Sequence, residues 1–260
     1  MQVPATPPGT PFATPAGVEK LRVLSYNIHG RAHLFSRRYL HWIAGVIEAA
    51  QPDIVGLQEV HRGGWVVRYE DQAKTLAKLT GMDYHFGRSF GHPGEEFGNA
   101  VLTRGKIRTS EVVALPAPGA EPRTVLHSRI EFPGLDGNTS EIDFYVTHLA
   151  AGFRSSRPAR SLQARSLLDR LRQSRGPFVL VGDFNAPPHA PELKTLMAAE
   201  IFRLCGKDMA CTHRILRQRI DWVVADPGWT TAESRVVQAG PSDHWPVLVE
   251  LHRTGPNERR

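Results

Sequence analysis

Residues 177–185 read Pro-Phe-Val-Leu-Val-Gly-Asp-Phe-Asn. The stretch Pro177–Gly182 is apolar at every position between its turn-forming ends, the pattern of a strand buried on both faces in the interior of an α/β sheet. Two polar residues, Asp183 and Asn185, stand at its C-terminal end. Working upstream, Ala159–Gln173 carries Ala164, Leu167, Leu168 and Leu171 at helical spacing, and Glu141–Leu149 is another strand. A strand, a helix and a strand in that order predict a βαβ unit.

The rest of the chain repeats this alternation. Leu21–Ile28, Asp53–Gln58, Asn99–Thr103, Val125–Phe132, Ile220–Ala225 and Pro246–His252 read as strands. Arg38–Ala50 reads as a helix, with Leu40, Ile43, Ile47 and Ala50 on one face and Pro52 stopping it; Asp71–Leu79 is a second helix, ended by Gly81. Strands outnumber helices, and no repeat of solenoid or propeller period is present.

At 260 residues, with 41% hydrophobic and 22% charged residues, the chain suits one α/β domain with a large core, over about residues 20–253. Collagen-like, disulfide-framework and mostly disordered classes are excluded, and no apolar run approaches the roughly 20 residues that span a bilayer. Residues 1–19, with Pro4, Pro7, Pro8, Pro11 and Pro15, are expected to be disordered, and 254–260 to fray. The N-terminal segment lacks the basic and apolar regions of a standard signal peptide. A cytoplasmic location and a monomer are expected, with secretion left open. Cys205 and Cys211 lack metal-knuckle spacing; they would form one loop disulfide if exported and stay reduced in a cytosol. The net charge of +6 permits polyanion partners without requiring them.

The unusual polar residues gather at strand ends, where α/β sheets place ligand sites. Asn27 ends the first strand and Glu59 follows the second. His148 ends another, in Val146-Thr147-His148-Leu149; Asp183 and Asn185 follow the most apolar one; Asp221 begins a late strand; and Ser242-Asp243-His244 precedes the last. Singly, each has an ordinary structural reading as a turn cap, a surface acid or a hydrogen-bonded core histidine. Jointly, if Glu59, Asp183, Asp221 and Asp243 converge, their repulsion calls for a cation. Hard oxygen ligands without cysteine suit Mg²⁺, Mn²⁺ or Ca²⁺. His148, His244 and the two Asn amides add donors for phosphate oxygens, so the set describes phosphoester hydrolysis. Ser242 beside His244 raises a serine hydrolase, but no Gly-x-Ser-x-Gly elbow occurs.

The ordered set Asn27, Gln58-Glu59, Gly98-Asn99-Ala100, Arg123, Thr147-His148-Leu149, Gly182-Asp183-Phe184-Asn185, Ile220-Asp221 and Ser242-Asp243-His244 resembles the endonuclease/exonuclease/phosphatase superfamily over about Leu21–Leu251. The resemblance implies a DNase I-like four-layer α/β/β/α sandwich of two packed mixed sheets, with the site at one rim. It implies Glu59 as chief ligand of a Mg²⁺ ion, for which Mn²⁺ could substitute, with Asn27 and Asp243 nearby. It further implies Asp183 as base for the attacking water, steadied by Asn185; His148 on a non-bridging oxygen; and His244 beside it, held by Asp221. Asn99 and Arg123 match supporting or substrate-binding positions. His29 stands where abasic-site endonucleases carry an acid, and His148 where they typically carry Tyr, so the chain is closer to the DNase I, sphingomyelinase and small bacterial hydrolase branches.

The substrate is a phosphoester, with nucleic acid the first reading and a lipid headgroup or small phosphoester the alternative; a non-catalytic binding module is disfavoured by the complete set of acids and histidines. Arg154, Arg157, Arg160, Arg165, Arg170, Arg172 and Arg175 form an arginine-rich stretch after His148, whose first members, Arg154 above all, are expected at the pocket rim, and those from Arg165 onward on a solvated helix face. Arg203–Arg219 is a second basic stretch. A nucleic-acid backbone suits both, as does a membrane surface under Trp65 and Phe153.

Overall fold

The computed structural model describes residues 18–36, 38–133, 139–152, 156–174, 176–206 and 210–254. In chain order the elements are β1 (Lys20–Asn27), α1 (Tyr39–Ala50), β2 (Ile54–Gly63), α2 (Gln72–Thr80), β3 (Asp83–His92), β4 (Glu95–Thr103), β5 (Lys106–Leu115), β6 (Arg123–Pro133), β7 (Thr139–His148), α3 (Arg157–Leu171), β8 (Phe178–Asp183), α4 (Pro191–Met197), β9 (Arg203–Cys205), β10 (Asp221–Ala225), β11 (Trp229–Val236) and β12 (Val247–Arg253). The strands form two six-stranded sheets, ordered β11-β12-β1-β2-β4-β3 and β5-β6-β7-β8-β10-β9.

Each sheet carries one parallel pair among antiparallel neighbours. The pairs are β1 with β2, joined through α1, and β7 with β8, joined through α3, the expected βαβ unit. The inner faces meet in a core that includes Leu21, Val23, Val101, Val146, Val181, Val223, Val247 and Val249. At Gly56 the sheets lie so close that a Cβ would stand 2.2 Å from Val181 Cγ2. The first sheet is covered by α1 and α2, through Leu40, Ile43, Ile47 and Leu76. The second is covered by α3 and α4, through Ala164, Leu167, Leu171, Leu193 and Leu196. The layers are therefore α/β/β/α, as the resemblance implied.

Local chemistry sets the helix ends. Asp71 accepts the Lys74 N–H and caps α2 at its start. Gly81 takes the left-handed conformation that closes it, and Gln51 does the same after α1, just before Pro52.

The expected segment boundaries are only partly visible. Residues 1–17 and 255–260 lie outside the described residues. Val18 packs against the core, and the Glu19 carbonyl accepts the Arg253 N–H, so these two belong to the folded domain. Thr254 is tied to the Gly228 carbonyl through both its N–H and its hydroxyl. Cys205 and Cys211 are free, and Cys205 is buried on the edge strand β9, so no loop disulfide forms. Among the described residues no helix is long and apolar enough to cross a membrane.

Candidate active site

Pairing brings three of the polar residues to one level on the second sheet. Asp183 on β8 lies opposite His148 in the parallel register with β7 and opposite Asp221 in the antiparallel register with β10. The first sheet contributes Asn27 from the end of β1. Its Nδ2 donates to Asp183 Oδ2 at 3.1 Å and to Glu59 Oε1 at 2.9 Å, joining the acids of the two sheets. The site is thus the rim where the sheets meet.

Glu59 reaches that rim through a backbone irregularity. The β2–β4 register shifts between Leu57 and Val60, and within this bulge Glu59 sits at φ 57°. Bulges re-aim side chains next to active sites. His29 (φ 44°) and Asn185 (φ 48°) share the left-handed conformation. A non-glycine residue adopts it at a cost, borne where the surroundings enforce it. Three such residues within one site mark a built constellation.

The loop before β12 is held by Ser242. Its Oγ donates to the Asn27 carbonyl at 2.8 Å and accepts the His244 N–H at 3.1 Å, so this hydroxyl is a brace rather than a nucleophile. His244 Nδ1 meets Asp221 Oδ2 at 2.8 Å, and its Nε2 lies 3.7 Å from Asp183 Oδ2. Burial favours the neutral ring, but the carboxylates of Asp221 and Asp183 outweigh it and hold His244 protonated, well above the usual imidazole range. Thr212 Oγ accepts the Ile220 and Asp221 N–H groups and fixes the start of β10.

His148 is buried, 3% exposed. Its Nδ1 lies 2.9 Å from Arg123 Nη1. A guanidinium offers only donors, so Nδ1 accepts and the ring proton sits on Nε2. That nitrogen lies 3.5 Å from Asp183 Oδ2, the acceptor its proton faces, and 3.0 Å from Asn185 Nδ2, which itself donates to the Leu149 carbonyl. Burial, with the Arg123 charge behind it, keeps His148 neutral, far below the usual imidazole range. Asp183 shows the opposite effect. Burial and the Asp221 charge raise its pKa, while His244, the Asn185 N–H (2.8 Å to Oδ1) and Asn27 moderate the rise.

The acids converge, but not on one point awaiting a cation. Asp183, Asp221 and His244 form a compact group with ligand atoms within 4.8 Å of one another, and His244 already supplies its positive charge. Asp243 pairs with His29 Nδ1 at 3.1 Å. Burial would raise the Asp243 pKa, but the His29 contact outweighs it and brings the value to about 2. Of the four site carboxylates, Glu59 alone has no imidazole or other cation against it in the described ion pairs; its described partner is the Asn27 amide. Asn27 Oδ1 accepts the His29 N–H at 3.0 Å and keeps one lone pair. Ionised oxygen donors without sulfur fit a hard divalent cation, so Glu59, with Asn27 and Asp243, is where such an ion would be held.

Three residues expected at supporting or substrate-binding positions are placed as follows. Asn99 is buried on β4, where its Nδ2 donates to the Thr124 carbonyl of the facing sheet at 3.3 Å. Arg123 is 5% exposed and held by His148 and Glu121, so it acts behind the histidine. Arg154, like Phe153 and Arg175, lies outside the described residues. Sequence reasoning missed His29 as the partner of Asp243, His213, whose ring lies 4.5 Å from that of His244, and Thr212. Their signal was only proximity to motif residues.

A model described as the endonuclease/exonuclease/phosphatase family matches residues 24–244. Among curated proteins, the uncharacterised protein YbhP of Escherichia coli is 32% identical over 177 residues, which are 63% of this chain and 66% of that protein. The match thus spans just under two thirds of that relative's length. Among solved structures, an endonuclease/exonuclease/phosphatase from Beutenbergia cavernae aligns with a TM-score of 0.73 and 25% identity over 92% of this chain and 72% of its own. The catalytic domain of human Nocturnin, solved with a bound sulfate anion, shares the fold with a TM-score of 0.71 and 20% identity over 92% and 97% of the two chains.

Proposed function

Because the chain belongs to the endonuclease/exonuclease/phosphatase family, we propose that it hydrolyses a phosphodiester by in-line attack of a water that Asp183 deprotonates, with Mg²⁺ or Mn²⁺ bound at Glu59. The observation that carries this reading is the contrast between the site's acids. Asp183 and Asp221 are compensated by a buried imidazolium, and Glu59 is left facing the cleft without a cation.

Each residue then has a task. Asp183, raised by burial yet surrounded by donors, is a base poised nearer neutrality than a surface carboxylate. Asn185 fixes its Oδ1, and Asn27 holds Oδ2, the oxygen that faces His148 and His244. His148 presents Nε2–H to a non-bridging phosphoryl oxygen without needing to be protonated. His244, held cationic by Asp221, adds positive charge where negative charge develops. A divalent ion at Glu59, Asn27 and Asp243 would supply Lewis-acid stabilisation of the phosphoryl and leaving oxygens.

Nucleic acid as substrate is supported by exposed basic side chains beside the site. Arg157 lines a cavity with Asn185, and Arg214 lines another with Asp243. The alternative, a small phosphoester or headgroup, is favoured by the cavity next to Glu59, whose walls hold more acids than arginines.

The test is turnover of bis(p-nitrophenyl) phosphate. It should vanish in EDTA and return with Mg²⁺ or Mn²⁺. Asp183→Asn should lower kcat by about 10²–10⁴ with little change in KM. Glu59→Gln should shift the metal titration to higher concentration. Full activity in chelator, or wild-type turnover by the Asp183 variant, overturns the mechanism.

A further inference from the structure

A cavity of about 530 Å³ opens beside the catalytic residues, bounded by Glu59 and His148 at one end and by the β3–β4 hairpin at the other. A row of rings crosses three strands there. Phe90 on β3 pairs in register with Phe97 on β4, and Phe97 pairs with His61 on β2, two residues past Glu59. The Phe90 and Phe97 centroids are 4.8 Å apart, and the His61 ring meets Phe97 edge-on at 5.0 Å. All three line the cavity, and both phenylalanines are only partly buried. His61 Nε2 is buried with no hydrogen-bond partner among the described residues.

The charges around this cavity are partly paired. Its lining holds Glu59, Glu95, Glu96 and Glu121 against Arg31 and Arg123. Arg123 is engaged by Glu121 and His148. Glu96 is paired with Arg62 and Arg88, so the rings are what distinguishes this cavity. A planar, uncharged ring stacks on aromatic faces whatever its sequence.

We infer that this cavity receives an uncharged planar ring of the substrate, a nucleobase or aryl group on the ester whose phosphate lies at His148. The inference rests on the phosphoesterase reading and names the substrate class of that site.

The experiment compares adenosine 5′-monophosphate, phenyl phosphate and ribose 5-phosphate as competitors of bis(p-nitrophenyl) phosphate hydrolysis, in the wild type and in Phe97→Ala and Phe90→Ala. A ring-bearing competitor should bind about 5- to 100-fold more tightly than ribose 5-phosphate, the usual range for one stacked base. In both variants that ratio should collapse to within about threefold while ribose 5-phosphate inhibits as before. A gain for the nucleotide alone identifies a nucleoside; a gain for phenyl phosphate as well identifies ring recognition in general. Equal inhibition by all three, or a preference that survives both substitutions, overturns the inference. Should Phe97→Ala unfold, Phe97→Leu keeps apolar bulk and removes the stacking face. Calorimetric binding of the three compounds to the Asp183→Asn variant reads the ring preference without turnover, so loss of the phosphoesterase reading remains distinguishable from loss of this one.

Discussion

His148 owes its chemistry to a residue on another strand. The Arg123 guanidinium behind Nδ1 leaves the ring one tautomer, with the proton on Nε2. Arg123→Met should lower kcat about 10- to 100-fold, the usual effect of removing a group that orients a site residue, and more than it changes KM. Arg123→Lys, which still donates, should recover part of the loss. The readout that a merely structural role would not move is the ¹⁵N shift pair of His148, which should show Nε2–H in the wild type and a tautomer mixture in the methionine variant. The same burial gives a stability signature. The unfolded chain protonates this ring near pH 6.5, whereas the folded chain resists protonation because of burial and Arg123. The unfolded state therefore binds more protons below pH 6.5, and stability falls as pH drops. Above that pH the effect is absent. His148→Gln should remove about 1.4 kcal/mol of acid destabilisation for each pH unit below 6.5, read from urea unfolding at pH 7.5 and 5.5. The acids and histidines themselves were legible in the sequence, because each stands at the end of a strand pattern. The Arg123–His148 and His29–Asp243 contacts were not, because they join residues whose nearness depends on strand register and on a loop.

At the level of elements, the interior strands were readable and the edges were not. The strands missing from the sequence reading are β3, β5, β9 and β11, and these are the four edges of the two sheets. An edge strand packs against one neighbour and exposes much of its length, as in β5, so its residues need not form an apolar run. The short helix α4 was missed because seven residues give too few turns for a clear stripe. Two glycines in elements that were read make a paired prediction. At Gly182 a Cβ would stand 2.1 Å from the Thr147 carbonyl oxygen, so Gly182→Ala must push β8 away from β7. The expected cost is about 1–3 kcal/mol in chemical denaturation, with kcat falling because Asp183 and His148 separate. At Gly45, in α1, a Cβ would meet nothing within 4 Å. Gly45→Ala should raise stability by about 0.5–1 kcal/mol through helix propensity, and leave activity unchanged. Equal effects of the two substitutions would mean that the β7–β8 approach is not what positions the site.

At the scale of the whole molecule, the net charge of +6 says less about polyanion binding than the fate of individual arginines. In the stretch after His148, Arg160 is buried against Glu192 and the Ala150 carbonyl. Arg170 is drawn to Glu111 and His127 on the outer face of the second sheet, and Arg172 pairs with Asp169. Arg165 is exposed on α3 and lines neither cavity beside the site. Of the described members, Arg157 and Arg160 line a cavity with Asn185, and of the two Arg157 is exposed. Across the site, Arg214 and Arg217 are exposed in the loop before β10, whereas Arg219 is buried over the Trp222 ring. Arg157, Arg214 and Arg217 can therefore meet phosphates without breaking a carboxylate pair. Each contact with duplex DNA contributes about −0.9 to the log–log dependence of binding on salt, so these three set a slope of about −3. Contacts by all seven arginines of the stretch after His148 would give about −6 by the same rule. The measurement is binding of the Asp183→Asn variant to a short duplex across a salt series. Arg157→Ala with Arg214→Ala should flatten the slope by about two units, and Arg165→Ala with Arg172→Ala should leave it unchanged. A slope near −6 that the second pair flattens would restore the helix as a phosphate track. A slope near −3 that responds only to the first pair confines the polyanion to the rim of the cleft.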